Sequence, residues 1–234
     1  MEQFIPTLNN MGYQIKNHDP YITAFIEYSV SNSNNFALEL GAGFGLASRE
    51  IIKQGGQVYC NDLDGRHLAD LANGHNPKLH VIPGDIFALD LPDRFFKSIL
   101  LSRVIHFFSP QQIENCFAKL KLWLKPKGKL FLTAETPYLR NWQKFIPVFE
   151  ERKANGEPYP GLIDNPEFYE DSGLIKNLPS YKHKFDVDTM SNMLSNNDFT
   201  IEKISYINRK GIFPSNMLLD GRESVGAIAS LGPL

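Results

Sequence analysis

The sequence predicts an α/β fold: a mostly parallel sheet with helices on both faces. Three observations carry that expectation. A glycine-rich turn, Gly41-Ala42-Gly43-Phe44-Gly45, joins the apolar run Phe36 to Leu40 to the helix-patterned stretch Leu46 to Gln54. Apolar runs of strand length then alternate with helical segments as far as Ala134. Polar residues (Glu39, Asp62, Asp85 and Ser102-Arg103) fall at or just beyond the ends of successive runs. Such alternation implies right-handed crossovers, a sheet covered on both sides, and ligands at the carboxyl ends of the strands where strand order reverses.

Composition narrows the classes. A chain of 234 residues, 42% hydrophobic and 21% charged, suits one globular domain spanning 1–234. A net charge of −2 gives no global pull toward nucleic acid or an anionic membrane, so neither is expected as a partner. Cys60 and Cys116 lie apart in apolar segments, which suits buried free thiols and a reducing cytoplasm rather than a bridge or a metal site. The opening Met-Glu-Gln-Phe-Ile-Pro shows no basic n-region, and no apolar run reaches membrane-span length.

Taken in order, residues 1–30 precede the first strand and form an N-terminal helical cap, with Asp19 and Pro20 starting a helix through Tyr21 to Tyr28. Gly55-Gly56 stops the helix after the glycine turn, and Val58-Tyr59-Cys60 is the next strand, closing on Asn61-Asp62-Leu63-Asp64. Asp64 reads as the cap of a short helix ending near Asn73-Gly74. Leu79 to Pro83 and Ser98 to Ser102 are further strands, ending at Gly84-Asp85 and Arg103. Ser109-Pro110-Gln111-Gln112 carries the cap, first-turn proline and Gln of a capping box, and Ile113, Cys116, Phe117, Leu120 and Leu124 mark one apolar face. Lys125-Pro126-Lys127-Gly128 stops that helix before the strand Lys129 to Ala134. Residues 137–184 break the alternation with prolines, glycines and many aromatics, the pattern of a lid-like insertion after the fifth strand. Asp188 to Asn197 is helical, and Phe199 to Ile207 with Ser224 to Ser230 reads as a closing antiparallel pair.

The glycine turn separates two ligand classes. A dinucleotide fingerprint places its third glycine at the sixth position, which here is Leu46; the third glycine stands earlier, at Gly45, and Glu39 precedes the first by two. This Glu-x-Gly-x-Gly-x-Gly pattern resembles the first motif of the class I S-adenosylmethionine-dependent methyltransferases. The resemblance runs from about Phe36 to the C-terminus, except for 137–184. It implies a Rossmann-like sheet of seven strands with the last antiparallel, and S-adenosyl-L-methionine as cofactor. In that reading Glu39, Gly41, Ala42, Gly43 and Gly45 form the cofactor turn. Asp62, with Leu63, holds the ribose hydroxyls; Asp85, with Ile86, receives the adenine amino group; and Ser102 and Arg103 complete the rim. Leu124-Lys125-Pro126-Lys127-Gly128 is similar to the family's Leu-Lys-Pro-Gly-Gly, with Lys127 in place of the first glycine, and Lys97 stands where an aspartate is frequent.

The chemistry leaves the catalytic residue unassigned, because a sulfonium methyl is already activated and alignment supplies much of the acceleration. His106 is the weak candidate for a general base, although apolar-His-aromatic sequences at this place in the family often only pack the next helix. Tyr138 and Trp142 lie nearest the fifth-strand end and are the substrate-binding candidates; Tyr13, His18, Glu135 and His183 are weaker. The expected function is methyl transfer to a small-molecule acceptor. The alternatives are a non-catalytic cofactor-binding or partner-binding domain, a protein methyltransferase, and a nucleotide-linked oxidoreductase that Leu46 disfavours. Replacement of Asp62 by alanine is expected to weaken cofactor binding and leave the fold intact.

Overall fold

In the computed structural model, which describes residues 3–74, 76–170 and 181–231, the chain opens with a hairpin of β1 (Phe4–Pro6) and β2 (Tyr13–Ile15). Nothing in the residue pattern announces this hairpin: each strand has three residues, too few to show alternation. Helix α1 (Pro20–Ser31) follows, with Asp19 accepting hydrogen bonds from the Tyr21 and Ile22 amides and Pro20 in the first turn. The N-terminal segment is therefore a hairpin plus a helix.

The alternating region follows as β3 (Phe36–Leu40), α2 (Leu46–Lys53), β4 (Gln57–Asp62), α3 (Ala69–Ala72), β5 (Leu79–Pro83), β6 (Phe96–Ser102), α4 (Pro110–Trp123) and β7 (Leu124–Glu135). Both halves of the predicted capping box at Ser109 and Gln112 are present. Beyond β7 come α5 (Ile146–Ala154), β8 (Leu162–Ile163), α6 (Pro166–Tyr169), β9 (Lys182–His183), α7 (Val187–Asn196), β10 (Phe199–Ile207) and β11 (Ser224–Leu231).

The main sheet has seven strands in the order β10-β11-β7-β6-β3-β4-β5. All are parallel except β11, which runs antiparallel to both neighbours. Apolar side chains leave both faces, as the unbroken apolar runs require. One face packs Leu38, Leu40, Ile99, Leu101, Leu130 and Leu132 against α4 and α7; the other packs Ala37, Val58, Leu100 and Phe131 against α1 and α2. From β3 the chain moves outward to β4 and β5, then returns to β6 on the other side of β3. The order thus reverses between β3 and β6, and a crevice at their carboxyl ends follows.

Residues 137–184 are built largely as a packed insertion; residues 171–180 of that predicted lid lie outside the described residues. Tyr138, Leu139, Trp142, Phe145, Phe149 and Ile163 form a separate core with Phe213, and Phe4 and Ile15 of the hairpin pack against it. The small β8–β9 sheet brings Lys184 back to β7, where its ammonium meets Glu135.

Candidate active site

The glycine turn sits at the end of β3 with Gly41, Gly43 and Gly45 all left-handed, at φ of 62°, 56° and 65°. A Cβ on Gly41 would run into Val104 after β6, and one on Gly45 into Leu71. Close packing against the segment after β6 and against α3 therefore demands glycine at both positions. Glu39, 5% exposed, turns its carboxylate into the fold: Oε2 accepts from the Ser48 amide at 2.9 Å and the Ser48 hydroxyl at 2.5 Å. Burial pushes its pKa up to about 7, against the pull of the Ser48 bonds, and the Asp62 charge adds to the rise. Glu39 supports the turn from beneath by tying β3 to α2.

Asp62 accepts three hydrogen bonds. Oδ2 takes the Gly43 amide at 2.7 Å; Oδ1 takes the Asp64 amide and His67 Nδ1, both at 2.9 Å. Because His67 Nε2 accepts from the Leu8 amide at 2.8 Å, the neutral ring carries its proton on Nδ1 and donates to Asp62. Leu63 beside it is 59% exposed. On the neighbouring strand Asp85 is exposed and accepts from the Phe87 amide at 2.9 Å, while Ile86 is buried. Register pairs Asp62 with Pro83, so Asp62 and Asp85 stand on adjacent strand ends. Gln14 of the hairpin closes the turn from outside, donating to Ala42 O at 3.0 Å and accepting from the Phe44 amide at 2.8 Å.

The other half of the rim, at β6 and β7, is charged. Ser102 pairs with Thr133, hydroxyl to hydroxyl, at 2.8 Å. Arg103 is left-handed at φ 59°, a conformation uncommon outside glycine. Its Nη2 reaches Glu135 Oε1 at 3.3 Å, and its buried Nη1 has no partner among the described residues. Lys184, fully buried, donates to Glu135 Oε2 at 2.6 Å and lies 4.1 Å from the centre of the Trp142 ring. Lys182 rests 3.8 Å from the centre of the Phe107 ring. Burial alone would raise the Glu135 pKa, but Lys184, His106, Lys182 and Arg103 together hold it well below the usual carboxylate range.

His106, 1% exposed, has Nε2 3.8 Å from Glu135 Oε1 and packs against Phe107. Burial drives its pKa well below the usual value; Glu135 opposes this, and Lys182, Arg103 and Lys184 reinforce it. The imidazole is therefore neutral at physiological pH. Tyr138 donates to Glu150 at 2.5 Å, packs on Phe149 and Tyr206, and carries the Arg222 guanidinium 3.6 Å from its ring centre. Both rings belong to the insertion's core, and Trp142 also meets the charged cluster through Lys184. Among the weaker candidates Tyr13 is exposed on β2, and His183, buried and stacked on Phe185, is pushed down to about 4 by burial. Burial also lowers His18.

Sequence reasoning did not single out Gln14, His67, Lys182 and Lys184, and placed Glu135 among the weaker candidates. Two signals were available. Glu135 ends the fifth strand on the same rim as the other acids, and Tyr181-Lys182-His183-Lys184-Phe185 places two lysines among aromatics. Among the described residues, no group of three or more His, Cys, Asp or Glu is arranged for a metal ion, and no helix is long and apolar enough to cross a membrane.

The sequence matches the Methyltransferase domain family over residues 38–132. A probable ribosomal RNA small subunit methyltransferase A from Methanococcoides burtonii is 25% identical over 160 residues, covering 68% of this chain and 53% of that protein. The chain thus spans about half the length of that relative. Among solved structures, an S-adenosylmethionine-dependent methyltransferase from Mesorhizobium loti superposes with a TM-score of 0.63 at 20% identity, covering 90% of this chain and 96% of that one. The 1,6-didemethyltoxoflavin-N1-methyltransferase of Burkholderia thailandensis, solved with 1,6-didemethyltoxoflavin and S-adenosylhomocysteine, gives 0.61 at 14%, covering 91% and 78%. The fold shared with these structures is the Rossmann-like methyltransferase sheet. Residues 38–132 thus carry a methyltransferase domain, and the fold is shared with S-adenosylmethionine-dependent methyltransferases, whose cofactor is S-adenosylmethionine.

The residues present fit that cofactor. Asp62 Oδ2 receives a single bond and keeps a free acceptor position beside the glycine turn, and a carboxylate offers about four such positions in all. Leu63 presents an exposed apolar side chain next to it, and Asp85 is open to solvent one strand away.

Proposed function

We propose that this chain transfers a methyl group from S-adenosylmethionine to a small-molecule acceptor held at the carboxyl ends of β6 and β7. The observation that carries this reading is the division of the rim: a glycine turn with free acid acceptors on one side, and on the other a charged site that the insertion encloses. When bound, the cofactor supplies a methyl group on a sulfonium cation, already activated toward a nucleophile. Asp62 would hold the ribose hydroxyls, Asp85 the adenine amino group, and Leu63 and Ile86 the apolar faces. Ser102 and Arg103 stand at the switch point, where the two halves meet. Alignment of the acceptor supplies much of the acceleration, and a base is needed only if the acceptor must lose a proton. His106, neutral and 3.8 Å from Glu135, would be the candidate to take one.

A small acceptor is favoured over an extended one because Trp142, Lys182 and Lys184, which the insertion itself contributes, are all buried. Calorimetry with S-adenosylmethionine and S-adenosylhomocysteine tests the cofactor; tight NADH binding with no binding of either would overturn the reading. S-adenosylhomocysteine formed on incubation with a small-molecule extract separates an enzyme from a binding domain.

A further inference from the structure

The charged half of the rim contains more cation than its own partners answer. Arg103, Lys182 and Lys184 gather round Glu135, and Glu170 is the second carboxylate that acts on both lysines. Lys184 is matched by Glu135 at 2.6 Å. Lys182 is not: it is 3% exposed, its ammonium faces the Phe107 ring, and no oxygen among the described residues accepts a hydrogen bond from it. Buried lysines are rare unless paired. Arg103 Nη1 is likewise buried and unpartnered, as is His106 Nδ1, which can donate or accept according to tautomer. Among the described residues, three donor groups thus gather in one cluster, with one cation more than the carboxylates there.

We infer that the acceptor carries a carboxylate, and that Lys182 with the unpartnered edge of Arg103 binds it beneath the insertion. The inference rests on the methyltransferase reading above. A monoanion is indicated because the surplus is a single positive charge, which a phosphate dianion would exceed. The methionine carboxylate of the cofactor is the other source of such a group. Lys182 meets Phe107 in the segment after β6, the strand beside β3, so the two sources are distinguished by titration rather than by position. Burial lowers the Lys182 pKa to about 7; Lys184 and Arg103 reinforce this, while Glu135 and Glu170 oppose it. A carboxylate beside Lys182 reverses that balance, so binding near pH 7 takes up a proton.

The experiment is calorimetry on the full chain, in two buffers of different ionisation heat at pH 7. S-adenosylhomocysteine and 5′-methylthioadenosine, which lacks the carboxylate, are titrated first. Acetate, benzoate and inorganic phosphate are then titrated into protein saturated with S-adenosylhomocysteine. The inference expects at least one carboxylate to bind, phosphate to bind at least tenfold more weakly, and a fraction of a proton to be taken up. Lys182→Met should lower carboxylate affinity at least tenfold and abolish the proton uptake, with S-adenosylhomocysteine affinity within threefold of wild type. Lys182→Gln gives the same readout should the methionine variant fail to fold. Binding of neither carboxylate to the loaded protein, or preference for phosphate, overturns the inference and leaves the methyltransferase reading standing on S-adenosylhomocysteine binding. Loss of S-adenosylhomocysteine but not 5′-methylthioadenosine affinity in the variants assigns the anion to the cofactor and also overturns it. Failure of wild type to bind S-adenosylhomocysteine sinks the methyltransferase reading itself.

Discussion

The two halves of the rim satisfy their carboxylates by different means. On the β3-β4-β5 side, backbone amides answer each acid (Ser48 for Glu39, Gly43 and Asp64 for Asp62, Phe87 for Asp85), joined only by uncharged side-chain donors, the Ser48 hydroxyl and the neutral His67 ring. On the β6-β7 side, Glu135 is answered by the side chains of Arg103 and Lys184, from two distant segments. Backbone amides are fixed by local chain geometry and carry no net charge, so the first half is a prearranged cradle. The second half is held by ion pairs under an insertion, and such pairs are costly to break because a buried charge is left behind.

Breaking the second half therefore has the largest expected effect. Glu135→Gln leaves Lys184 buried without its counter-ion and should cost about 3–5 kcal/mol of stability in urea unfolding. Replacing both partners, Glu135→Leu with Lys184→Met, should recover most of that loss; a double variant as unstable as the single one would place the cost in packing instead. The depressed Glu135 pKa adds a pH test. A group held below its unfolded value stabilises above that value, and its contribution is lost as pH falls through the folded one. Wild type should therefore lose its advantage over Glu135→Gln below about pH 4.

Glu39 sets the opposite sign in the first half. Its folded pKa, about 7, lies above the ordinary 4.5, so its contribution is complete below about pH 4.5 and is lost as pH rises through 7. The change is on the order of 3 kcal/mol. Glu39→Gln should flatten that part of the stability profile between pH 5 and 8; an unaltered profile would mean that the charge is accommodated.

Next in size is Asp62→Ala. Removing the shared acceptor leaves the Gly43 and Asp64 amides and His67 Nδ1 without it, at a cost of about 2 kcal/mol. S-adenosylhomocysteine affinity should fall at least tenfold. Unchanged affinity in a folded variant would remove Asp62 from the cofactor site.

The same contrast explains what the sequence made legible. Asp62 and Asp85 are read from the chain because the amides they bind lie two residues on, and strand-then-acid is a local pattern. Glu135 meets Arg103 across 32 residues and Lys184 across 49, a juxtaposition that no spacing rule encodes. Tyr138 and Trp142 were chosen for their closeness to a strand end. The fold puts both in the insertion's core and gives only Trp142 a face toward the charged cluster, a difference that closeness to a strand end does not encode. The β1–β2 hairpin was illegible for another reason: it is stabilised by Gln14 on the glycine turn and by Phe4 on Phe213, contacts with distant segments.

The smallest expected effect lies at the far end of the sheet, away from both halves. Lys127 is left-handed at φ 58°, at the place where the resembling motif carries glycine. A side chain there costs roughly 1 kcal/mol through the contact of Cβ with the following carbonyl. The Lys127 side chain is exposed, and what the turn needs from this residue is its carbonyl, which accepts from Lys97 Nζ at 2.9 Å. Glycine keeps that carbonyl and removes the strain, and its extra chain entropy offsets part of the gain. Lys127→Gly should thus raise stability by about 0.5–1 kcal/mol, or about 2–3 °C in Tm for a chain of this size. Because the turn touches neither half of the rim, S-adenosylhomocysteine affinity should not change. A fall in Tm would show that the side chain, rather than the backbone conformation, governs this turn; a change in cofactor affinity would show that strain at the amino end of β7 reaches the rim through the strand.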